Sequence, residues 1–339
     1  MPLSLILPCP PEAGWELIRR QELPRAADDG LPLGGFSAIA YQPEADRFWL
    51  LSDAPQGHLV PFGGVARWIR AGTPLQLGTR LLLRDGGGEP LPRRFDGEGL
   101  VLRGDQAWIV SEGRRSKRWQ GQRPPQLLRF SMADGRLQQE AALPVAWRFA
   151  PGRGLESNKG PEALSRDPYG GLLLGAEAPL RQDRTQDDVD VVRLARRAPD
   201  GQMQELGRLS IGPAGSASLR SQGLTELLTL KQPRGLLALL RSYVPPSAWT
   251  AQLQWLPWPD GPAAPPLRPL AGWDLLASGL PPDNWEGMTW GPRLADGRRA
   301  LVLVSDDNFN PAQRSWVAVL APRRTAACSS VALPPVPSF

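Results

Sequence analysis

The segment DNWEGMTWGPRLADGRRALVLVSDDNF, residues 283–309, reads as two strands joined by a polar turn. Glu286 opens the first strand, and Asp306 and Asp307 close the second. A hairpin returns both of its ends to one face, so this spacing gathers the carboxylates at the open end. The pattern recurs four times upstream, as GGFSAIAYQPEADRFWLLSDA from Gly34, FDGEGLVLRGDQAWIVSEG from Phe95, NKGPEALSRDPYGGLLLGAEA from Asn158 and QGLTELLTLKQPRGLLALLRSY from Gln222. Taking Ser37, Glu98, Glu162, Glu226 and Glu286 as equivalent gives steps of 61, 64, 64 and 60 residues. Such a period is the mark of a repeat architecture.

Composition agrees with many short strands. An apolar fraction of 41% supports a core, while 38 prolines and 36 glycines fall mostly between apolar runs and leave no sustained helical periodicity. Each period divides into four strands. The second gives GEGLVLRG, QAWIVSEG, PQLLRFSM and LQQEAALPV; the third PEALSRD, GLLLGAEA, DVVRLARR and MQELGRLSI; the fourth TELLTL, GLLALLRSY, AQLQWLPW and GWDLLASGL. The first gives SAIAYQ, FWLLSD, HLVPFGG with ARWIR as a less clear third strand, and LQLGTRLLLRD. The last supplies only WEGMTWGP, ALVLVSDD and SWVAVLAP, and its missing strand is available at the other end of the chain in WELIRRQEL, Trp15 to Leu23.

The expected fold is therefore an all-β propeller of five four-stranded blades, closed by the N-terminal strand so that no sheet edge stays open at the seam. A six-bladed ring is the alternative. It would have to draw strands from Trp147 to Ser157, which has few strand formers. One domain is expected over residues 15–325, with an extension at 1–14 and a tail at 326–339. Antiparallel pairing of Trp15–Leu23 with Ser315–Leu320 would carry Cys9 and Cys328 out of one end of the blade. A disulfide there would staple the termini and favour a periplasmic or extracellular location, whereas two free thiols would leave the compartment open.

In a propeller the innermost strands line the channel. Glu98, Glu162, Glu226 and Glu286 are then expected at one mouth, with Asp53, Glu112, Glu177, Asp306 and Asp307 beside them. Crowded carboxylates raise one another's pKa unless a hard cation or basic side chains compensate. Arg241 takes the acidic position in the fourth repeat, Lys159 precedes Glu162, and Arg114, Arg115, Lys117 and Arg118 follow Glu112. The competing reading makes each carboxylate a structural acceptor for backbone N–H groups of the next blade.

Other chemistries lack support. The net charge of +5 is scattered among acidic residues, so a nucleic-acid surface is not expected. No run approaches the roughly 20 apolar residues of a membrane-spanning helix, and MPLSLILPCPP has neither a basic n-region nor a small-residue cleavage site. His58 is the only histidine and is expected in a loop or strand; GxSxG, CxxC, HExxH and GxxxxGK[ST] are absent.

DNWEGMTWGP and LVLVSDDNF, with GEGL before WIVSEG and GPEAL before LLLGAEAPL, resemble the phytase-like family, described as esterase-like activity of phytase. The resemblance covers about Gly34 to Leu320 and implies a β-propeller acting on phosphate or carboxylic esters, in true propeller phytases with calcium at an acidic channel mouth. Carried over, it points to Glu98, Glu112, Glu162, Glu177, Asn284, Glu286, Asp306, Asp307 and Asn308. The dense acidic and lysine motifs of the true phytases are not present.

Two functions follow as expectations. The first is a metal-dependent ester or phosphoester hydrolase, monomeric, acting on a small molecule. Glu286, Asp306, Glu98 and Glu162 would do the chemistry, while Asp53, Glu112, Glu177, Glu226 and Asp307 would hold calcium or another divalent cation. Arg114, Arg115, Lys159, Arg241, Asn284 and Asn308 would bind substrate. The second is a non-catalytic propeller that binds a ligand, sugar or protein across its channel face, with Trp119, Trp147, Trp249, Trp285 and Trp290 as candidate stacking surfaces.

Overall fold

The computed structural model describes residues 5–27, 30–54, 56–91, 95–114, 123–184, 190–212, 222–245 and 248–329. The chain opens with β1 (Trp15–Glu22) and then builds blade 1 from β2 (Phe36–Gln42), β3 (Arg47–Ser52), β4 (His58–Gly63), β5 (Gln76–Leu77) and β6 (Leu81–Leu82). Blade 2 is β7 (Gly97–Arg103), β8 (Gln106–Ser111), β9 (Gln126–Ser131) and β10 (Leu137–Ala142). Blade 3 is β11 (Pro161–Arg166), β12 (Leu172–Ala176), β13 (Asp190–Arg197) and β14 (Met203–Ile211). Blade 4 is β15 (Gly223–Lys231), β16 (Arg234–Val244), β17 (Ala248–Pro257) and β18 (Ala271–Asp274); blade 5 is β19 (Asn284–Arg293), β20 (Arg299–Asp306) and β21 (Trp316–Pro322) with β1 outermost.

These antiparallel sheets form a five-bladed propeller. The innermost strands touch in a closed circle, β2 to β7 to β11 to β15 to β19 and back to β2. Between the blades lie five apolar clusters, one at each seam. Phe36, Phe48 and Trp68 meet Val302 and Val317 where blades 1 and 5 join, and Leu7, Trp15 and Trp285 fill the seam between blades 4 and 5. A blade can bury both faces only against two neighbours, so the core exists only when the circle is complete.

Closure follows the expected route. β1 pairs antiparallel with β21, from Trp15 opposite Pro322 to Glu22 opposite Trp316. Cys9 N donates to Arg323 O at 3.0 Å, Thr325 N donates to Cys9 O at 3.0 Å, and Cys9 and Cys328 form a disulfide. No described helix is long and apolar enough to cross a membrane.

Blade 1 differs in its outer half. ARWIR, expected to extend the third strand, lies instead in the helix α1 (Val65–Ala71). Gly64 and Gly72 flank it in the left-handed conformation, and the Asp46 carboxylate accepts from Ala66 N at 2.9 Å, satisfying a free N–H of the first turn. The fourth strand is reduced to two short pieces, β5 and β6, both paired with β4.

Candidate active site

Each inner strand carries a register irregularity at the same place. The pairing skips Ser37, Glu98, Glu162, Thr225 and Glu286, the second residue of the inner strand in blades 1, 2 and 3 and the third in blades 4 and 5. A bulge re-aims the side chain it carries. Glu226 was expected in this position, but the register gives it to Thr225, and the true steps are 61, 64, 63 and 61 residues. Glu226 points into the seam with blade 3, where its Oε1 accepts from Leu164 N at 3.0 Å and Leu227 N at 2.8 Å.

Opposite this row stand Asp53, Glu112 and Glu177, just past the second strand's pairing, and Arg241 and Asp306, in its last pair. Asp53 N donates to Gly35 O at 2.8 Å, Glu112 N to Asp96 O at 3.1 Å and Glu177 N to Gly160 O at 2.8 Å. Gly223 and Asn284 stand opposite Arg241 and Asp306. The hairpins therefore bring both rows to one mouth of the channel.

The next blade's leading glycine lets three of these hairpins dock. A Cβ at Gly160 would lie 2.8 Å from Glu112, one at Gly223 2.6 Å from Glu177 Oε1, and one at Gly34 2.5 Å from Asp307 Oδ1. Gly160 N donates to Glu112 Oε1 at 2.6 Å, and Gly35 N to Asp307 Oδ1 at 3.0 Å. For Glu112 and Asp307 the structural role is real, and for Glu112 it coexists with the cluster it joins.

Glu112, Glu162 and Glu177 each present a carboxylate oxygen within 4.8 Å of the other two, and all three are buried. Two cations border them. Arg241 Nη2 donates to Glu286 Oε1 at 2.8 Å and lies 3.8 Å from both Glu162 and Glu177, and Lys159 Nζ is 2.9 Å from Glu177 Oε1. Glu286 Oε1 also accepts from Asn284 Nδ2 at 2.8 Å. Asp53 Oδ1, Glu162 Oε2 and Asn284 Oδ1 are buried without a hydrogen-bond partner among the described residues.

Burial dominates the electrostatics of the mouth, with neighbouring carboxylates adding to it. Burial, then Glu286, Asp96 and Asp307, push Asp53 up to about 7; burial and Glu177 push Glu112 up to about 8. Glu98, Glu162 and Asp306 are held well above the usual carboxylate range, first by burial and then by neighbouring acids, with Arg241 pulling Glu162 back. Glu226 is raised well above that range by burial alone. Asp96, raised by burial and unnoticed in the sequence, belongs to the same mouth through Asp53 and Glu112; its position before Gly97, where other repeats carry glycine or asparagine, was the available signal.

The remaining residues fall around this cluster. Asn308 is exposed, its main chain donating to Asp306 Oδ1 at 2.8 Å, and Arg114 is exposed in a loop that pairs with Arg123. Arg115 and Trp119 lie outside the described residues. His58 begins β4, buried, with Nδ1 2.9 Å from Gln56 O. Trp147 and Trp285 are fully buried and offer no stacking face.

A family model for phytase-like proteins, described as esterase-like activity of phytase, matches residues 31–309. No curated protein sequence matches the chain. Among solved structures, an endo-arabinase from Bacteroides thetaiotaomicron is similar at 11% identity and a TM-score of 0.45, over 86% of this chain and 94% of the other. A β-fructofuranosidase from Bombyx mori matches at 11% identity and a TM-score of 0.46, over 84% of this chain and 59% of the other.

Proposed function

The chain belongs to the phytase-like family, and on that premise we propose that its acidic mouth hydrolyses an ester or phosphoester of a small molecule with a divalent cation bound. The observation that carries this is the approach of Glu112, Glu162 and Glu177 to within 4.8 Å, with Glu162 Oε2 buried and unpartnered. Oxygen donors alone suit a hard cation, and oxygens sharing one calcium lie at most about 5 Å apart. The residues fit the ion: Glu112, Glu162 and Glu177 would hold it. When bound, such an ion polarises the ester or phosphoryl oxygen and makes bound water more acidic.

The chain's own groups supply the rest. Burial and neighbouring acids favour the protonated form of Asp306, and Asp53, pushed up to about 7, can take a proton, so the two neighbours would serve as an acid and base pair. Arg241 fixes Glu286 and offers charge to an anionic substrate, with Lys159 beside it. Burial and neighbouring acids push half-buried Glu98 toward its protonated form, in which it would donate to a substrate oxygen. Asp307 and Glu226, each accepting backbone N–H bonds across a seam, serve the fold. The Cys9–Cys328 bond supports a periplasmic or extracellular setting.

Calorimetric titration with calcium tests the cation site. Wild type binds one ion or more, and Glu162→Gln weakens binding at least tenfold while the thermal transition stays cooperative. Equal affinity in the two proteins overturns the assignment.

A ligand-binding propeller without catalysis is the second reading. It is favoured by Tyr243 and Trp249, which stack at 4.3 Å just beyond Arg241, with Tyr243 37% exposed.

A further inference from the structure

The inner strands run from the acidic mouth to the other end of the channel, and that end is built from different chemistry. A cavity of about 1500 Å³ occupies it, walled by the second halves of all five inner strands. Its inner wall is apolar, with Ile39, Leu100, Leu164 and Met288 among the lining residues. Its rim carries Arg103, Arg166, Lys231 and Arg299. The alternation follows from strand lengths: each inner strand starts at the acidic row, crosses the apolar channel and ends where it meets solvent.

Among the described residues, none of the four cations forms an ion pair. Arg103 donates to Gly170 O at 2.7 Å and to Gly171 O, and Arg166 donates to Leu102 O, so both guanidinium groups are held by main-chain carbonyls at fixed places. The side chains of Arg299 and Lys231 make no hydrogen bond to a described residue, although both main chains pair within their sheets. Two carboxylates also line the cavity. Asp167 is engaged by Arg196 at 2.6 Å and Glu44 is exposed, so the lining sets four cations against two carboxylates. Burial, then Arg166 and Arg197, disfavour Arg103 as a cation, with Asp167 opposing them in part; burial and Arg293 disfavour Arg299, with Tyr41 opposing them in part. An anion at the rim would relieve both.

We propose that this mouth is a second binding site, for an organic anion with an apolar body that enters the channel while its carboxylate or phosphate headgroup meets Arg103, Arg166, Lys231 and Arg299. A low-dielectric wall behind a ring of one charge sign focuses the field on an anion, and an apolar pocket with a few convergent polar groups is the ordinary form of a small-molecule site. The site is independent of the hydrolase reading, since none of its groups belongs to the acidic mouth.

Calorimetric titration of the full chain with dodecanoate, dodecyl phosphate, dodecanol, acetate and inorganic phosphate, below micellar concentrations, tests it. Dodecanoate or dodecyl phosphate is expected to bind saturably, at least tenfold tighter than dodecanol and than the matching short anion; the tighter of the two identifies the headgroup. Lys231→Glu with Arg299→Glu, side chains that make no ion pair or hydrogen bond to a described residue, should weaken that binding at least tenfold. No saturable binding by either amphiphile, equal binding of dodecanol or of the short anions, or an affinity untouched by the double charge reversal would overturn the proposal.

Discussion

Arg241 Nη2 lies 2.8 Å from Glu286 Oε1, joining the second strand of blade 4 to the first strand of blade 5. The same nitrogen stands 3.8 Å from Glu162 and from Glu177, so one side chain compensates three buried carboxylates from two blades. Breaking a buried pair by removing one partner costs about 3–5 kcal/mol, because the charges left behind lose their compensation. Arg241→Met is expected to lose stability on that scale in urea titration, and millimolar calcium is expected to restore part of it. A loss below about 1 kcal/mol would show that the carboxylates are already neutral without the guanidinium.

Stability should depend on pH in a definite direction. Asp53 and Glu112 have folded pKa values of about 7 and about 8, against model values of 3.8 and 4.5, so the folded state binds more protons than the unfolded chain between these limits. Their contribution is fully present below the unfolded pKa values and is lost as pH rises through the folded ones. With chelator present, the melting temperature should fall by at least about 3 °C from pH 5 to pH 8, and calcium at pH 8 should reverse the fall. A flat or rising profile in chelator would contradict the crowding of charge at this mouth.

The glycines before the inner strands carry a steric prediction. Gly160→Ala places a Cβ 2.8 Å from the Glu112 side chain and 2.9 Å from its main chain, so the seam between blades 2 and 3 must shift. A loss of about 1–3 kcal/mol is expected. Gly63→Ala, whose Cβ meets nothing nearer than 4.0 Å, should stay within about 0.5 kcal/mol and serves as the control. Equal denaturation midpoints for the two variants would remove the docking role assigned to Gly160.

Cys9 and Cys328 are 319 residues apart, so their bond constrains nearly the whole unfolded chain. Cys9→Ser with Cys328→Ser is expected to cost about 2–5 kcal/mol in urea, with the transition still cooperative. An unchanged midpoint would mean that the pairing of β1 with β21 holds the ring closed without the bond.

The ring and its closure were legible because they rest on period and count. Five similar hairpins fixed the number of blades, a three-stranded last repeat pointed to WELIRRQEL, and the two cysteines lay at matching distances beyond that pair. The phase of one blade was not legible. QGLTELL offers a glutamate one residue past the true position, and only the bulged register assigns Thr225 to the row and Glu226 to the seam. ARWIR has strand-like residues yet folds as a helix, since Gly64, Gly72 and the Asp46 carboxylate act from outside the segment. The convergence of the carboxylates followed from hairpin geometry, but which three meet within ligand distance depends on side-chain directions that no spacing specifies.

Hydrolysis of an aryl phosphate and an aryl acetate, by wild type and by Glu162→Gln, with calcium and with chelator, tests the central claim most directly. The account predicts turnover of at least one substrate by wild type, lost with chelator, restored by calcium and reduced at least a hundredfold in Glu162→Gln. Turnover that ignores chelator and survives Glu162→Gln, or no turnover by calcium-loaded wild type on either substrate, would contradict it.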